Sequence, residues 1–314
     1  MRVLIIGAPP GFNAEGYYCK ALRELGSQVD CLDQYIGVSR RFLWRILLTR
    51  TRAFHPLLSA FPINKKAPIV ANGLRPDFIL VFKGELLSES AILRLMKIAP
   101  TYLFYPDNYK WPALLQNRLR LFSGLFTAAS RLGYYRQLGA RNVWYLPWAA
   151  DPKVHRPMKL KKIRDVAFVG SPYLRRYRIL RSLGSVDVFG PYWIFPVGQM
   201  HGPVYGEDLA RVFNESRVNL EIRHPMSLVS DDICMRTFEV AATGAFLLSD
   251  YVPSAVQFFP MVPTYGSIGE LQTKTSYFLG HPAEREAIGE GMRDLCLAKH
   301  TYLHRASLML KTVG

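Results

Sequence analysis

The chain has 314 residues, and 49% of them are hydrophobic, so it can bury the cores of two domains of ordinary size. No segment reaches the roughly 18 uninterrupted apolar residues of a membrane span. The short apolar start MRVLIIG is typical of a first strand rather than a signal peptide. The four cysteines are scattered without a CxxC pair, which favours a reduced, cytoplasmic compartment.

The positive charge is concentrated in the first half of the chain. Residues 1–150 hold 20 Lys/Arg and 8 Asp/Glu, a balance of +12, and residues 151–314 hold 20 and 16, a balance of +4; together these give the net charge of +16. A basic half predicts an anionic partner, such as lipid headgroups, a phosphorylated carrier or nucleic acid. The sequence shows no known nucleic-acid-binding module, so we expect no nucleic-acid partner.

Strand and helix patterns alternate along the first half. Short apolar runs predict strands, the stretches between them predict helices, and Gly26 is typical of a helix end. The predicted strands are 3–7, 28–32, 77–82, 101–105, 124–128 and 143–146, and the predicted helices are 14–25, 88–98 and 130–138. This alternation predicts a parallel, doubly wound sheet.

The stretch 147–164 is rich in proline, lysine and polar residues and is predicted to be an interdomain linker. Strand and helix patterns then alternate again. The predicted strands are 165–169, 186–189, 217–222 and 245–248, and the predicted helices are 174–183, 207–214, 235–243, 267–279, 283–298 and 302–311. The sequence therefore predicts a second α/β domain.

The helix predicted over 235–243 carries Arg236 and Glu239 three residues apart, and hence on one helical face. A helix N-terminus is a ready site for an anion, and a carboxylate can accept hydrogen bonds from a ribose diol. The pair therefore supplies parts for holding a sugar nucleotide. The alternative is a surface ion pair on an ordinary helix.

A second candidate site follows the strand 165–169, at the strand end where doubly wound sheets bind ligands. Gly170 lets a backbone group approach closely, and the Ser171 hydroxyl can donate a hydrogen bond. Arg175 or Arg176 can bind a pyrophosphate through its guanidinium fork, and the sequence does not decide between them. The alternative is a solvated basic helix face.

Two loops complete the candidate ligand contacts. Tyr205 ends a long loop of Pro, Gly and aromatic residues, where a base could stack. The turn from Gly7 to Gly11, followed by Asn13, opens the first domain. It does not supply the G-x-G-x-x-G of a dinucleotide fingerprint, so the sequence disfavours NAD.

The candidate catalytic residues are Lys83 and Asp107, which follow two predicted strands of the first half. Asp107 could act as general base toward an acceptor hydroxyl, and Lys83 could neutralise phosphate. If the reaction retains stereochemistry, the donor phosphate takes the proton and Asp107 only orients the acceptor. Alternatively, Asp107 caps a helix beginning near Lys110. No metal-ligand spacing is apparent among the His and Cys residues.

Residues 39–54 interleave five arginines with apolar side chains. As a helix this segment would be basic and amphipathic, suited to lying on an anionic membrane. The alternative is a helix that packs on the core and keeps a basic outer face.

Seven segments, in order along almost the whole chain, carry a family resemblance: 76–88, 105–108, 139–148, 165–180, 204–223, 235–251 and 281–310. In order and spacing they resemble the spore-maturation protein CgeB family of GT-B-fold glycosyltransferases. The segment 235–251 is also similar to a glycosyltransferase signature in which a glutamate on a Gly-containing helix binds the donor ribose. Glu239 and Gly244 match that signature. Its retaining branch has an acidic residue eight positions before the glutamate, which is Asp231 here.

The resemblance implies an α/β, GT-B fold with two doubly wound, Rossmann-like domains facing a central cleft. It implies an acceptor-side domain over 1–150 and a nucleotide-sugar-binding domain over 151–300. The last helix, 301–314, would return to the N-terminal domain. Gly11 and Asn13 would lie in an acceptor-side loop that contacts donor or acceptor.

The implied activity is sugar transfer from a nucleotide-sugar donor, without cofactor or metal, because helix dipoles and arginines stabilise the leaving diphosphate. The acceptor is expected to be a glycan (such as a bacterial cell-surface glycan), a lipid-linked molecule or a protein. We expect a cytoplasmic enzyme with peripheral contact at the inner membrane face through 39–54. The alternatives are another GT-B nucleotide-sugar enzyme, such as an epimerase, or a non-catalytic nucleotide- or nucleic-acid-binding relative.

Overall fold

A computed structural model describes residues 1–37, 58–106, 115 and 117–314. Within these ranges the chain divides into two compact units. The first unit comprises Met1–Pro147 together with Arg305–Gly314, and the second comprises Trp148–His304.

The first unit is built on a parallel sheet. Its strands are β1 (Arg2–Gly7), β2 (Gln28–Asp33), β3 (Phe78–Phe82), β4 (Thr101–Phe104), β5 (Gly124–Thr127) and β6 (Val143–Tyr145), in the spatial order β2-β1-β3-β4-β5-β6. Its helices are α1 (Ala14–Glu24), α2 (Ile63–Leu74), α3 (Glu89–Ile98) and α4 (Leu132–Gln137), with a 3₁₀ turn at Leu119–Leu121. The winding direction reverses between β1 and β3, where doubly wound sheets place ligands.

Local sequence explains most of these elements. All five residues of β3 are buried, as a parallel strand covered on both faces requires. Helix α3 begins where the Ser88 hydroxyl accepts a hydrogen bond from the Ala91 N–H at 3.2 Å. Helix α2 was not predicted, because Pro68 lies inside it and proline disfavours helix interiors.

The second unit repeats this architecture. Its strands are β7 (Arg164–Val169), β8 (Asp187–Phe189), β9 (Gln199–His201), β10 (Ser216–Glu221), β11 (Leu247–Asp250) and β12 (Thr264–Tyr265), in the order β12-β11-β10-β7-β8-β9, all parallel. Its helices are α5 (Leu174–Ser182), α6 (Gly206–Glu215), α7 (Pro225–Ser230), α8 (Met235–Thr243), α9 (Pro253–Phe258), α10 (Ile268–Gly280) and α11 (Pro282–Lys299). Here the winding direction reverses between β7 and β10.

Two apolar layers enclose the second sheet. One cluster joins Phe168 to Ile179 of α5 and Leu271 of α10. The other joins Phe238 of α8 to Met292 of α11. Helix α8 therefore lies on the opposite face of the sheet from α5, and each begins at the carboxyl edge of the sheet.

The doubly wound α/β character predicted for both halves is confirmed, and the predicted strands and helices agree with the observed ones to within about two residues. Four short elements, β9, α7, α9 and β12, were not predicted. The last helix, α12 (Tyr302–Val313), begins in the second unit, and from Arg305 onward it belongs to the first. The Arg305 Nε donates to the Pro147 carbonyl at 2.8 Å.

Candidate functional site

The carboxyl edge of β7 and β10 collects two helix N-termini. Helices α5 and α8 each have nine residues, and each begins with neither a side-chain cap nor an acidic residue in its first turn. Free N–H groups at helix starts carry partial positive charge. This edge is therefore electropositive before any side chain is added.

Arg176 of α5 spans the ends of the two strands. Its Nε donates to the Ile222 carbonyl at 2.8 Å, and its Nη1 donates to the Ser171 carbonyl at 2.7 Å. The guanidinium lies over the Tyr173 ring at 4.7 Å. Burial lowers the pKa of Arg176, Tyr173, Cys234 and Glu221 act in the opposite direction, and the charge of Arg236 also lowers it. Arginine stays protonated under such shifts, so Arg176 and Arg236 are two positive charges within electrostatic range of each other. Nη2 of Arg176 makes no hydrogen bond with the described residues.

Arg236 and Glu239 form the ion pair that their spacing predicted. Arg236 Nη1 donates to Glu239 Oε2 at 2.7 Å, and the guanidinium lies over the Phe213 ring. The Arg236 side chain is 25% exposed, whereas that of Glu239 is only 3% exposed. A partly exposed cation therefore covers a buried carboxylate.

His155 approaches Glu239 from the other side. Its Nε2 lies 3.6 Å from Glu239 Oε1, and its Nδ1 accepts a hydrogen bond from the Asp151 N–H at 3.3 Å. The tautomer assigned from this contact carries its proton on Nε2, toward Glu239. Burial lowers the pKa of His155, so the ring is neutral at neutral pH. Sequence reasoning missed this residue, because it lies in the stretch read as a linker.

Glu239 is thus less accessible than the ribose-binding prediction assumed. Both carboxylate oxygens already face a side chain, Arg236 on one side and His155 on the other. A hydroxyl group can reach the carboxylate only by replacing Arg236. That side chain is the more exposed of the two and is long enough to turn away.

The Gly170 turn is held mainly by its neighbours in the second unit. The Gly170 N–H donates to the Phe189 carbonyl at 2.8 Å, and its own carbonyl accepts from Trp193 Nε1 at 2.9 Å. A Cβ on Gly170 would lie 2.9 Å from the Phe168 ring, and one on Gly190 would lie 2.2 Å from the Gly170 oxygen. Glycine at both positions is therefore required by close backbone packing.

The structure separates the two arginines that the sequence could not distinguish. Arg175 donates twice to Asp250, at 2.8 and 2.5 Å, and it also contacts the Arg223 carbonyl. Its guanidinium is therefore engaged by a carboxylate, whereas the hydrogen bonds of Arg176 go to two backbone carbonyls. The phosphate contact of Arg175 stays a prediction.

Gly244 lies at the opposite end of α8 from Arg236, and its contact with the donor stays a prediction. It ends α8 in the left-handed conformation, with φ of 72°, eight residues after Arg236. At about 1.5 Å of rise per residue the two positions lie roughly 12 Å apart along the helix. A Cβ on Gly244 would contact Arg293 at 3.3 Å, so this glycine serves the packing of α8 on α11.

Sequence reasoning also missed a buried ion pair beside the site. Arg223 donates to Glu221 at 2.9 Å, and its own N–H donates to Asp250 at 2.6 Å. Glu221 also accepts from Thr237 at 2.8 Å and from the thiol of Cys234, whose pKa burial raises to about 12. The signal in the sequence was Glu221 within the strand and Arg223 directly after Ile222, two opposite charges beside apolar residues.

Gly11 and Asn13, the predicted acceptor-side residues of the first unit, lie just before α1. Asn13 accepts from the Gly16 N–H at 2.9 Å and from the Gly11 N–H at 3.1 Å, so it caps α1. The Gly11 carbonyl lies against Gly16, where a Cβ would come within 2.1 Å. Gly11 and Asn13 therefore form the start of α1, and their contact with donor or acceptor stays a prediction. Asp107 and the segment 39–54 lie outside the described residues.

Lys83 lies at the carboxyl end of β3, with a left-handed φ of 60° that is unusual for a residue other than glycine. Its neighbourhood is visible in the pKa of Tyr35, which is raised chiefly by burial. Glu85 and Glu15 raise this pKa further, and Lys83 lowers it. Lys83 is thus one charge in a mixed cluster, and sequence reasoning did not single out either glutamate.

Tyr205 is the remaining residue predicted to contact the donor. Tyr205 directly precedes α6, and 60% of its surface is exposed, so its role in base stacking remains a prediction. Across the described ranges, no group of three or more His, Cys, Asp or Glu could hold a metal ion. No helix in the same ranges is long and apolar enough to cross a membrane.

Comparison with known sequences gives the following similarities. Residues 171–311 match the family model described as "Glycosyl transferase-like". Spore protein CgeB of Bacillus subtilis is 22% identical over 239 residues, which is 68% of this chain and 75% of CgeB. The family resemblance predicted from the sequence is thereby confirmed.

Solved structures share the fold at low identity. Sucrose-phosphate synthase from Thermosynechococcus elongatus superposes with a TM-score of 0.69 at 12% identity, covering 99% of this chain and 98% of that one. Anabaena HepE, solved with UDP and glucose, gives 0.67 at 11%, covering 100% and 99%. T4 phage BGT, solved with UDP-glucose, gives 0.61 at 14%, again covering 100% and 99%. The predicted GT-B fold is confirmed.

Proposed function

Because this chain is a CgeB-like glycosyltransferase with the GT-B fold, we propose that its second unit binds the donor nucleotide-sugar at the carboxyl edge of β7 and β10. The observation that supports this most strongly is that Arg176 and Arg236 lie in the first turns of two uncapped helices that begin at this edge. Preorganised donors of this kind stabilise the charge that develops on a leaving diphosphate. The first unit would then supply the acceptor side.

The donor's phosphates would exchange one anionic partner of Arg236 for another. In the structure Arg236 is paired with Glu239. A diphosphate offers the guanidinium a second set of charged acceptors, so Arg236 can turn to it with little loss. Glu239 would then be free to accept hydrogen bonds from the ribose hydroxyls, while Nη2 of Arg176 donates to the diphosphate.

The structures of similar proteins suggest which donor nucleotide to test first. HepE and T4 phage BGT were solved with UDP or UDP-glucose, so we propose a uridine diphosphate sugar as the first donor to test. The acceptor would be a glycan, a lipid-linked molecule or a protein. Lys83 and Asp107 remain the candidate catalytic residues, and the reaction is proposed to need no metal.

The deciding experiment is calorimetric binding of UDP, GDP, dTDP, ADP and CMP to the whole chain, with and without EDTA. We expect one nucleoside diphosphate to bind with EDTA present, and Glu239→Gln to weaken it at least tenfold without lowering the melting temperature appreciably. Arg156→Ala is the matched control, because Arg156 forms an exposed ion pair with Glu207 in the same unit. Equal affinities for wild type and Glu239→Gln would remove Glu239 from the site.

A further inference from the structure

The connection between β8 and β9 lacks the helix that usually joins two parallel strands. Residues 190–198 make this crossover, and three side chains at its centre point into solvent. Tyr192 is 73% exposed, Ile194 is 82% exposed and Phe195 is 60% exposed. Large apolar side chains that protrude together in this way indicate an interaction surface.

Hydrogen bonds and ring contacts hold this loop in one conformation. Trp193 points inward, and its Nε1 donates to the Gly170 carbonyl at 2.9 Å. The Tyr177 hydroxyl accepts from the N–H groups of Ile194 and Phe195, at 3.1 and 3.3 Å. The rings of Tyr177 and Trp193 lie 4.9 Å apart. The backbone therefore holds the apolar side chains outward.

The charge around the loop is positive. Residues 170–198 contain four arginines and a single acidic residue, Asp187, which contacts His201 at 2.6 Å. Arg175 and Arg176 are engaged within the unit, and Arg178 lines a cavity with Tyr265 and Ser267 away from the loop, whereas Arg181 is exposed. The Arg181 guanidinium lies 5.9 Å from the Tyr177 ring that braces the loop.

We propose that Tyr192, Ile194 and Phe195 insert into the interface of an anionic lipid bilayer, with Arg181 at the headgroups. Three convex apolar side chains near an exposed arginine match the requirements of an interfacial contact, in which apolar groups are buried just below the charged headgroups. A protein partner of apolar character would not account for the exposed arginine at the edge of the loop. This contact does not depend on the donor site.

The test uses the full chain and vesicles of phosphatidylcholine alone or mixed with phosphatidylglycerol. We expect cosedimentation at least tenfold stronger with phosphatidylglycerol present, and a loss of at least tenfold in the double variant Ile194→Ser/Phe195→Ser. The variant Arg181→Gln should lose part of the dependence on phosphatidylglycerol. Ile69→Ser is the control, because Ile69 is 72% exposed in the first unit.

Melting curves and nucleotide binding of each variant establish that the second unit is folded. Vesicle binding by folded Ile194→Ser/Phe195→Ser equal to that of wild type would overturn the proposal, as would no binding of wild type to either vesicle. A concentration-dependent dimer of wild type that the same variant abolishes would also overturn it, since a second copy of the chain would then cover the loop.

Discussion

Two Glu–Arg pairs lie near the same edge of the second sheet, and they differ in what remains for a ligand. Arg223 is fully buried, and Glu221 accepts hydrogen bonds from Arg223, Thr237 and Ser249. Arg236 is partly exposed above Glu239, with a free path to solvent on one side. We call the buried Glu221–Arg223 pair the closed pair and the partly exposed Glu239–Arg236 pair the open pair.

The difference follows from the element that carries each pair. Glu221 and Arg223 are two residues apart at the end of a central strand, so both point to the same covered face of the sheet. Arg236 and Glu239 share one face of a helix whose first turn lies at the sheet edge. A buried pair stabilises the fold only while both partners are present, whereas an open one can change partners.

The largest expected effect is on the free energy of unfolding when the closed pair is broken. Arg223→Met leaves Glu221 as a buried charge without its cation, which destabilises by about 3–5 kcal/mol in comparable cases. Urea unfolding of the purified chain measures this change. Arg217→Met is the control, because Arg217 and Asp165 form an exposed pair of the kind worth about 0–1 kcal/mol. A loss as small as the control's would show that the first pair is not closed.

The open pair should behave in the opposite way. We expect Arg236→Met to weaken nucleotide binding by about 1.5–3 kcal/mol, the usual range for a hydrogen bond to a charged group. The loss in unfolding free energy should be smaller than that of Arg223→Met, because removing the partly exposed Arg236 opens the Glu239 carboxylate to water. Calorimetry and urea unfolding measure the two quantities. Unchanged affinity together with a large loss of stability would place this pair in the same class as Glu221 and Arg223.

The sequence predicted what local patterns encode. Alternating apolar runs gave the two doubly wound sheets, and an i, i+3 spacing gave the Arg236–Glu239 contact. The predicted donor contact of Gly244 rested on the family signature, which does not give the distance of this glycine from the sheet edge where α8 begins. His155 could not be found, since its contact with Glu239 joins segments 84 residues apart that no local pattern relates.

His155 offers a finer test of the open pair. His155→Leu removes the imidazole nitrogen that lies 3.6 Å from Glu239, and we expect nucleotide binding to weaken by less than the roughly 1 kcal/mol of one hydrogen bond. His155→Gln should restore part of the loss, because its amide can donate in the same direction. If Leu and Gln bind nucleotide equally well, His155 does not position Glu239.

The smallest expected effect is a pH dependence of stability. Burial lowers the pKa of His155 in the folded chain, so below the unfolded value of about 6.5 the unfolded chain binds a proton that the folded chain does not. Stability therefore falls with acidity, by at most about 1.4 kcal/mol per pH unit for this residue. His155→Gln should lose less stability than wild type between pH 7 and pH 5 in urea unfolding. Parallel pH profiles would contradict this assignment.

The contact between Gly170 and Gly190 has a mechanical consequence. With only 2.2 Å between the Gly170 oxygen and the place a Cβ would take on Gly190, even a methyl group there would push the two turns apart. The Trp193 indole is anchored on the same oxygen, so such a displacement would shift the aromatic crossover and the arginine-bearing turn as one piece. The loop 190–198 and the Gly170 turn are therefore mechanically coupled, and a substitution that displaces one is expected to displace the other.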